Sequence, residues 1–477
     1  MFFRSIKSRA LMTLGVIGSL SLSATSQADW FDDFRDSASD EELYALLYAM
    51  PKGGDLHHHI SGSARSEWWY EEILRQESLG YTYYTKVTIN NCRAYGGNEF
   101  NFAPYLLLFR TVSERNFQQL PECEKSEYKK IQDLTEDEKS GFLNSIRLDK
   151  NHEGRDEFFQ THWQRLNDLT SNPYLMLEVL ARNIKAFSKE GLMYMETMMG
   201  SEGYEAPDGS VIPDTHFIQM LRDRLAQDDI KKTGMTLRFQ ESILRFAPNA
   251  EQQLIRDYKS VAANSDLYVA VNMVGREDND KGYPLRFLPT LRELRKTYND
   301  VKLSIHAGEV DEPNFHIRDT LLLGADRIGH GVNLITDNEL MREMRHGPYL
   351  VEINLISNLL LEYVDDYSQH PFPEYLRIGI PVALSTDDRG MWDSNITDEF
   401  FVAVKEFNLS WEEIKTLSRN SLQYSFLDTE TKEDLLATFD KRISRFEKKA
   451  TSGDYTPAKV DDVSYGFTCH QYGLCLK

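Results

Sequence analysis

Eight short apolar runs, most of them separated by a stretch long enough for a helix, constrain this chain more than any other feature. They are Gly54–Ile60, Leu192–Met198, Thr236–Ser242, Tyr268–Val274, Lys302–His306, Arg327–His330, Leu350–Leu355 and Val382–Thr386. Helical stretches between them include 215–228, 284–298, 315–324 and 336–346. Strand alternating with helix predicts a parallel sheet of the α/β class. Eight such units predict a closed (β/α)8 TIM barrel rather than an open, doubly wound sheet. The 477 residues, 41% of them hydrophobic, suffice for a core of that size. In such a barrel the C-terminal strand ends converge on one mouth, where chemistry is carried out.

The first two runs lie too far apart for one crossover helix. Residues 65–185 are read as that helix plus an insertion over about 65–150, because long stretches without structure of their own are uncommon. Within the insertion, Tyr81–Asn91 is polar and β-prone, and the whole reads as a small accessory subdomain or lid. Ahead of the barrel, residues 29–50 form an acidic helical extension, with Leu43, Leu46, Leu47 and Met50 at helical spacing. The barrel is placed at 51–450 and a C-terminal tail at 451–477.

Residues 1–28 read as an export signal. Arg4, Lys7 and Arg9 precede the apolar stretch Ala10 to Leu22, and Ser26-Gln27-Ala28 is a small-x-small site, so cleavage is expected after Ala28. The expected location is secreted or periplasmic. In an oxidising compartment the four cysteines are read as disulfides rather than metal ligands. Of the three pairings open to them, the most local joins Cys92 to Cys123 and Cys469 to Cys475. No later stretch is long and apolar enough to span a bilayer. A formal charge of −21 repels phosphate backbones and anionic lipid. Nucleic acid and membrane are therefore not expected partners, and a neutral or cationic small molecule is.

Four motifs sit at the strand ends. Asp55-Leu56-His57-His58-His59 puts His57 and His59 on one face of a strand, because side chains two apart point the same way. Neutral imidazole suits a borderline cation such as Zn²⁺, whereas His58 points away and reads as structural. His306-Ala307-Gly308-Glu309 offers a further imidazole with a carboxylate three residues on, as a metal site needing a proton shuttle requires. Gly329-His330-Gly331 places another His at a strand end; alone it also fits a core histidine. In Thr386-Asp387-Asp388 two adjacent acids are costly to bury unpaired, and a helix N-cap is the bland alternative for either. The conjunction, in this order and at these ends, points to a metal-dependent hydrolytic site.

These motifs, with Met50-Pro51-Lys52-Gly53-Gly54 ahead of the first and Leu192-Met193-Tyr194-Met195-Glu196 on the second strand, resemble the adenosine deaminase family of the metal-dependent amidohydrolase superfamily. The likeness spans about 50–430. With the export signal and the insertion, it is most like the secreted adenosine deaminase growth factor branch. The resemblance implies that His57, His59, His306 and Asp387 bind one Zn²⁺ per subunit and leave a position for water. It implies that His330 orients the attacking hydroxide, that Glu309 protonates purine N1, and that Asp388 hydrogen-bonds N7. Gly275 would turn a backbone N–H toward the base. A homodimer through the N-terminal helices is a family expectation only.

The resemblance implies hydrolytic deamination of adenosine or 2′-deoxyadenosine to inosine or deoxyinosine and ammonia. Ser61 stands where many relatives have an acid that contacts the sugar, and Arg389 where proline is usual, on a loop expected to line the mouth. The seventh run keeps Ser357-Asn358 but lacks the usual Cys-Pro. These departures motivate a second reading, a deaminase of another aminopurine or modified nucleoside. A third reading, a non-catalytic extracellular growth-factor-like or binding protein on the same barrel, gives the site acids and ligands no reason to persist.

Overall fold

The computed structural model describes residues 29–92, 110–278, 281–312, 314–452, 460 and 466–475. Residues 1–28, read above as an export signal, and much of the C-terminal tail lie outside the described residues. The chain forms strands β1 (Gly54–Asp55), β2 (Tyr83–Lys86), β3 (Thr111–Ser113), β4 (Tyr128–Lys130), β5 (Tyr194–Met198) and β6 (Thr236–Leu244). These are followed by β7 (Tyr268–Val274), β8 (Lys302–Ala307), β9 (Arg327–His330), β10 (Leu350–Ile353) and β11 (Val382–Leu384). Eight of them make one parallel sheet in the order β1-β5-β6-β7-β8-β9-β10-β11, with helices between successive strands. The sheet closes just past the named strands. The Asp387 N–H donates to the His57 carbonyl at 2.9 Å and the His59 N–H to the Asp387 carbonyl at 3.3 Å. The (β/α)8 barrel is thus sealed by residues of the candidate site itself.

The barrel interior is polar where most cores are aliphatic. Period-two alternation turns Glu196, Gln240, Asn272, Ser304, Arg327 and Glu352 inward, where they bond to one another, while Val271, Ile305, Val351 and Ile353 are buried toward the helices. Buried polar groups on this scale are tolerated only when each is satisfied. Arg327 pairs with Glu196 at 2.5 Å and with Glu352 at 2.6 Å, and lies over the Phe426 ring.

Three strands stop earlier than the apolar runs. The first run reaches Ile60 but β1 ends at Asp55; β10 ends at Ile353 and β11 at Leu384. The chain turns there to aim side chains. Asp387 has φ 51° and His330 φ 63°, a left-handed backbone that residues other than glycine rarely adopt and that clusters at functional sites.

The extension forms α1 (Asp29–Ser37) and α2 (Asp40–Ala49), the second started by a capping box between Ser39 and Glu42. Its apolar stripe is buried within the chain, against helix Ile396–Phe407, where Tyr44 Oη donates to Asp398 at 2.7 Å. The insertion carries a three-stranded antiparallel sheet ordered β3-β2-β4 and the Cys92–Cys123 disulfide. It then returns across the barrel. Arg155 pairs with Asp311, Asp156 with Arg276, and the Trp163 ring lies 6.4 Å from that of His59. The crossover helix Pro173–Lys189 follows, capped by Asn172. The second disulfide joins Cys469 to Cys475 in the tail, so both pairs are the local ones. No described helix is long and apolar enough to cross a membrane.

Candidate active site

His57, His59, His306 and Asp387 meet at one point in the mouth. His59 Nε2 lies 3.2 Å from His306 Nε2 and 3.4 Å from Asp387 Oδ1, and His57 Nε2 lies 3.6 Å from the same oxygen. A tetrahedral ion with bonds of about 2.0 Å sets its ligands about 3.3 Å apart. Two of the ring nitrogens that face this point, those of His57 and His306, are left free for a metal by the bonds their rings make elsewhere. His57 Nδ1 donates to Glu352 at 2.7 Å, which leaves Nε2 buried without a hydrogen-bond partner. His306 is set by a longer relay that starts at an acceptor. The Glu196 carboxylate takes the Gln240 amide N–H at 3.0 Å, and the Gln240 oxygen takes the Asn272 N–H at 3.0 Å. The Asn272 oxygen then takes the His306 Nδ1–H at 2.9 Å. Lone pairs from two imidazoles beside a carboxylate repel one another unless a cation sits among them. The donor set fits a divalent metal.

Electrostatics follow from burial in this crowded centre. Burial raises the Asp387 carboxyl, but His57 and His59 beside it reverse the effect and hold it well below the usual range. Burial, then the neighbouring imidazoles of His57, His59 and His330, push His306 well down. Glu309 is driven well up by burial and by the charges of Asp387 and Glu277. It stands on the turn after β8, 3.8 Å from His330 Nε2, and accepts from Tyr363 Oη at 3.3 Å. Asp388 is buried too, its Oδ1 has no hydrogen-bond partner, and burial with the Asp387 charge raises it well above the usual range. His330 Nε2 is 4.0 Å from Asp387 Oδ2. His58 turns away, to Asp55 at 3.3 Å and the Phe187 ring.

The sequence model of the adenosine deaminase family matches residues 125–442. The chain belongs to the adenosine deaminase family. The match begins after His57 and His59, and the fold is what joins those two to the rest of the adenosine deaminase site. An adenosine deaminase of Clostridium acetobutylicum is 27% identical over 302 residues, 63% of this chain and 86% of that protein. An N6-methyl-AMP deaminase of Bos taurus is 25% identical over 279 residues, 57% of this chain and 78% of that protein. A Burkholderia ambifaria amidohydrolase solved with bound Zn superposes with a TM-score of 0.60 at 17% identity, covering 86% of this chain and 95% of that one. The protein is an enzyme of the family's metal-dependent hydrolase type.

One expectation taken from the adenosine deaminase pattern fails in the structure. Arg389 does not line the mouth. It is 1% exposed, pairs with Glu190 at 2.9 Å, and stacks 3.9 Å over Phe187 behind the loop. An apolar pocket with a carboxylate at its end draws the guanidinium inward. Gly275 follows β7 with φ 94°, a left-handed backbone that favours glycine, and a Cβ there would meet the Leu244 and Phe246 side chains at 2.8 Å. Several positioning residues escape motif reading altogether. Glu277 accepts the backbone N–H groups of Gly308 and Glu309 at 3.1 and 3.0 Å, and Arg245 donates to the His306 carbonyl at 2.5 Å. Inward-facing charges on otherwise apolar strands were the available signal for Glu196, Arg327 and Glu352.

Proposed function

We propose that this protein is an exported, zinc-dependent deaminase that converts adenosine or 2′-deoxyadenosine to inosine or deoxyinosine and ammonia. One observation carries the reading: bare imidazole nitrogens and Asp387 face a common point beside two further buried carboxyl groups, Glu309 and Asp388. His57, His59, His306 and Asp387 would hold the cation. When bound, a divalent metal supplies Lewis acidity and makes hydroxide available near neutral pH. Glu309, kept in its acid form by burial, gives a proton to purine N1 and makes C6 electrophilic. The same group then carries a proton to the departing ammonia. Asp388 turns its unpartnered oxygen to N7 and, in its acid form, donates to that acceptor. His330 faces the side from which C6 is attacked.

The rim favours a nucleoside over a nucleotide. Arg155 and Arg276 stand at the insertion edge, and both are matched by acids, Asp311 for the first and Asp156 and Asp278 for the second. A 5′-phosphate would compete with those carboxylates for its contacts. Both disulfides support export, since such bonds persist in oxidising compartments. Ser61 favours the second reading, another aminopurine or modified nucleoside, because no acid stands there to meet a ribose hydroxyl.

The test is a panel of adenosine, 2′-deoxyadenosine, adenine, AMP and N6-methyl-AMP, followed by absorbance, with metal analysis on the same sample. Preferred turnover of adenosine and its deoxy form is expected, with about one zinc per chain. Turnover of other aminopurines alone moves the assignment to the second reading. A metal-loaded protein that turns over none of them overturns both.

A further inference from the structure

His330 is held by a chain of side chains that ends on the backbone. Its Nδ1 lies 2.9 Å from Asn358 Nδ2, and Asn358 Oδ1 lies 3.0 Å from His370 Nε2. The last link is the Phe372 N–H, which donates to His370 Nδ1 at 3.1 Å. A backbone N–H is a donor and nothing else. His370 Nδ1 is therefore bare. Burial pushes this ring down to about 3, so it is neutral and carries its proton on Nε2. That N–H requires the oxygen of Asn358, which turns the amide nitrogen toward His330. A neutral imidazole that accepts at Nδ1 has its proton on Nε2. Asn354 Nδ2, 3.4 Å from both ring nitrogens of His330, selects neither.

We propose that His370 and Asn358 are positioning residues that fix His330 as the Nε2–H tautomer, so that it presents a hydrogen-bond donor to the reaction centre. The polarity is opposite to that of the Glu196-Gln240-Asn272 relay, which begins at an acceptor and leaves His306 with a bare Nε2. Two amide relays of opposite sense thus give two neighbouring imidazoles, with ring centroids 5.3 Å apart, opposite tasks. His330 lies close enough to His57, His306 and Asp387 to complete a ligand set. With its proton on Nε2 it has no lone pair to give there, and His59 takes that place. Its N–H instead faces the oxygen that attacks C6 and holds that oxygen in line with the carbon. The chemical meaning rests on the deaminase reading; the tautomer does not.

The experiment is long-range ¹H–¹⁵N correlation on metal-loaded protein labelled with ¹⁵N-histidine, with His330 assigned by loss of its signals in His330→Gln. The wild type is expected to show His330 protonated at Nε2. Asn358→Asp offers only acceptors to Nδ1, so the proton is expected to move there. Misplacing the attacking oxygen costs about 10²-fold in kcat, and KM is expected to stay within about threefold because substrate contacts are untouched. His370→Leu frees the Asn358 amide to turn and is expected to lower kcat, whereas His370→Gln keeps a donor toward Asn358 and restores it. A wild-type His330 protonated at Nδ1 overturns the proposal, as does an unchanged kcat in Asn358→Asp. If no aminopurine is turned over, the deaminase reading fails while the wild-type spectrum still decides the tautomer.

Discussion

Glu352 accepts a hydrogen bond from His57 Nδ1 at 2.7 Å, and this contact decides which nitrogen the ring offers to the mouth. Ser304 Oγ donates to the same carboxylate at 2.9 Å, and Arg327 pairs with it at 2.6 Å. Burial raises the Glu352 carboxyl, but Arg327 and His57 together hold it below its usual range, charged and ready to accept. Partners of this kind typically contribute 10–100-fold to metal affinity. Glu352→Gln removes the charge and frees the amide to point either end at His57. Zinc affinity, read by competition with a chromogenic chelator, is expected to fall by about 10–100-fold. Unchanged affinity would show that His57 is oriented by something else.

Glu309 and His57 are separable by two readouts. Glu309→Gln leaves the ligand set whole and removes the proton carrier, so metal content is expected to hold while turnover drops by about 10²–10⁴. His57→Ala removes a ligand, so metal content and Tm are expected to fall together. A Glu309→Gln protein with normal turnover, or a His57→Ala protein with full metal occupancy, would reassign that residue.

Gly62 leaves room for Asp388. A Cβ at Gly62 would fall 1.6 Å from Asp388 Oδ1, closer than any real contact. Gly62→Ala must therefore displace the carboxyl proposed to hold the purine ring. Metal content is expected to be normal, and kcat/KM for adenosine is expected to fall at least about tenfold, a cost of about 1.4 kcal/mol in transition-state binding. Steady-state kinetics with metal analysis check this. Wild-type kinetics would remove Asp388 from ring recognition.

Much of this centre was legible because chemistry and period coincide. Each metal-site residue stands in a short motif at the end of an apolar run, and the order of runs gives the barrel that gathers them. What stayed hidden depends on direction rather than identity. Arg389 sits in the right loop, but its side chain leaves by the back, toward the Glu190 carboxylate just past the Pro173–Lys189 helix, which no local pattern links to it. Glu277 looks like one charge in the polar run Arg276-Glu277-Asp278, yet it is buried and clamps the backbone under Glu309. The apolar stripe of α2 was legible as helix, but the surface that covers it comes from more than 340 residues later, as the Tyr44–Asp398 contact, 354 residues apart in sequence, shows.

Outside the mouth, Glu241 and Asp257 link stability to pH. Glu241 points from β6 toward helix Ala250–Ala263 and accepts from Ser201 N–H at 3.0 Å and Ser260 Oγ at 3.0 Å. Asp257, on that helix, is 3% exposed with Oδ2 unpartnered. Burial pushes Glu241 up to about 7. Burial, then the charges of Glu241 and Glu202, push Asp257 up to about 8 against the pull of Arg256 and Gln253. Both folded values exceed the unfolded ones, so the folded state binds more protons between roughly pH 4 and pH 8. Their stabilisation is complete at the acid end and is lost as pH rises through 7 to 8. Each proton sets a slope of up to about 1.4 kcal/mol per pH unit. Asp257→Asn is expected to flatten urea-unfolding stability between about pH 5 and about pH 8. An unaltered slope would show that Asp257 ionises normally.

The burial of Arg389 makes a prediction about stability instead of specificity. Its guanidinium and the Glu190 carboxylate are each 1% exposed, and Glu190 also accepts the Ile396 N–H at 3.2 Å. Removing one partner of a buried pair strands the other charge, which typically costs about 3–5 kcal/mol. Arg389→Ala is expected to lower stability by that order and to leave the ranking of substrates unchanged, because the side chain never reaches the mouth. Replacing both members, Arg389→Met with Glu190→Gln, removes the stranded charge and is expected to recover much of the loss. Urea denaturation of the single and double variants, with the nucleoside panel on each, separates the two roles. A change in substrate ranking at full stability would return Arg389 to the mouth.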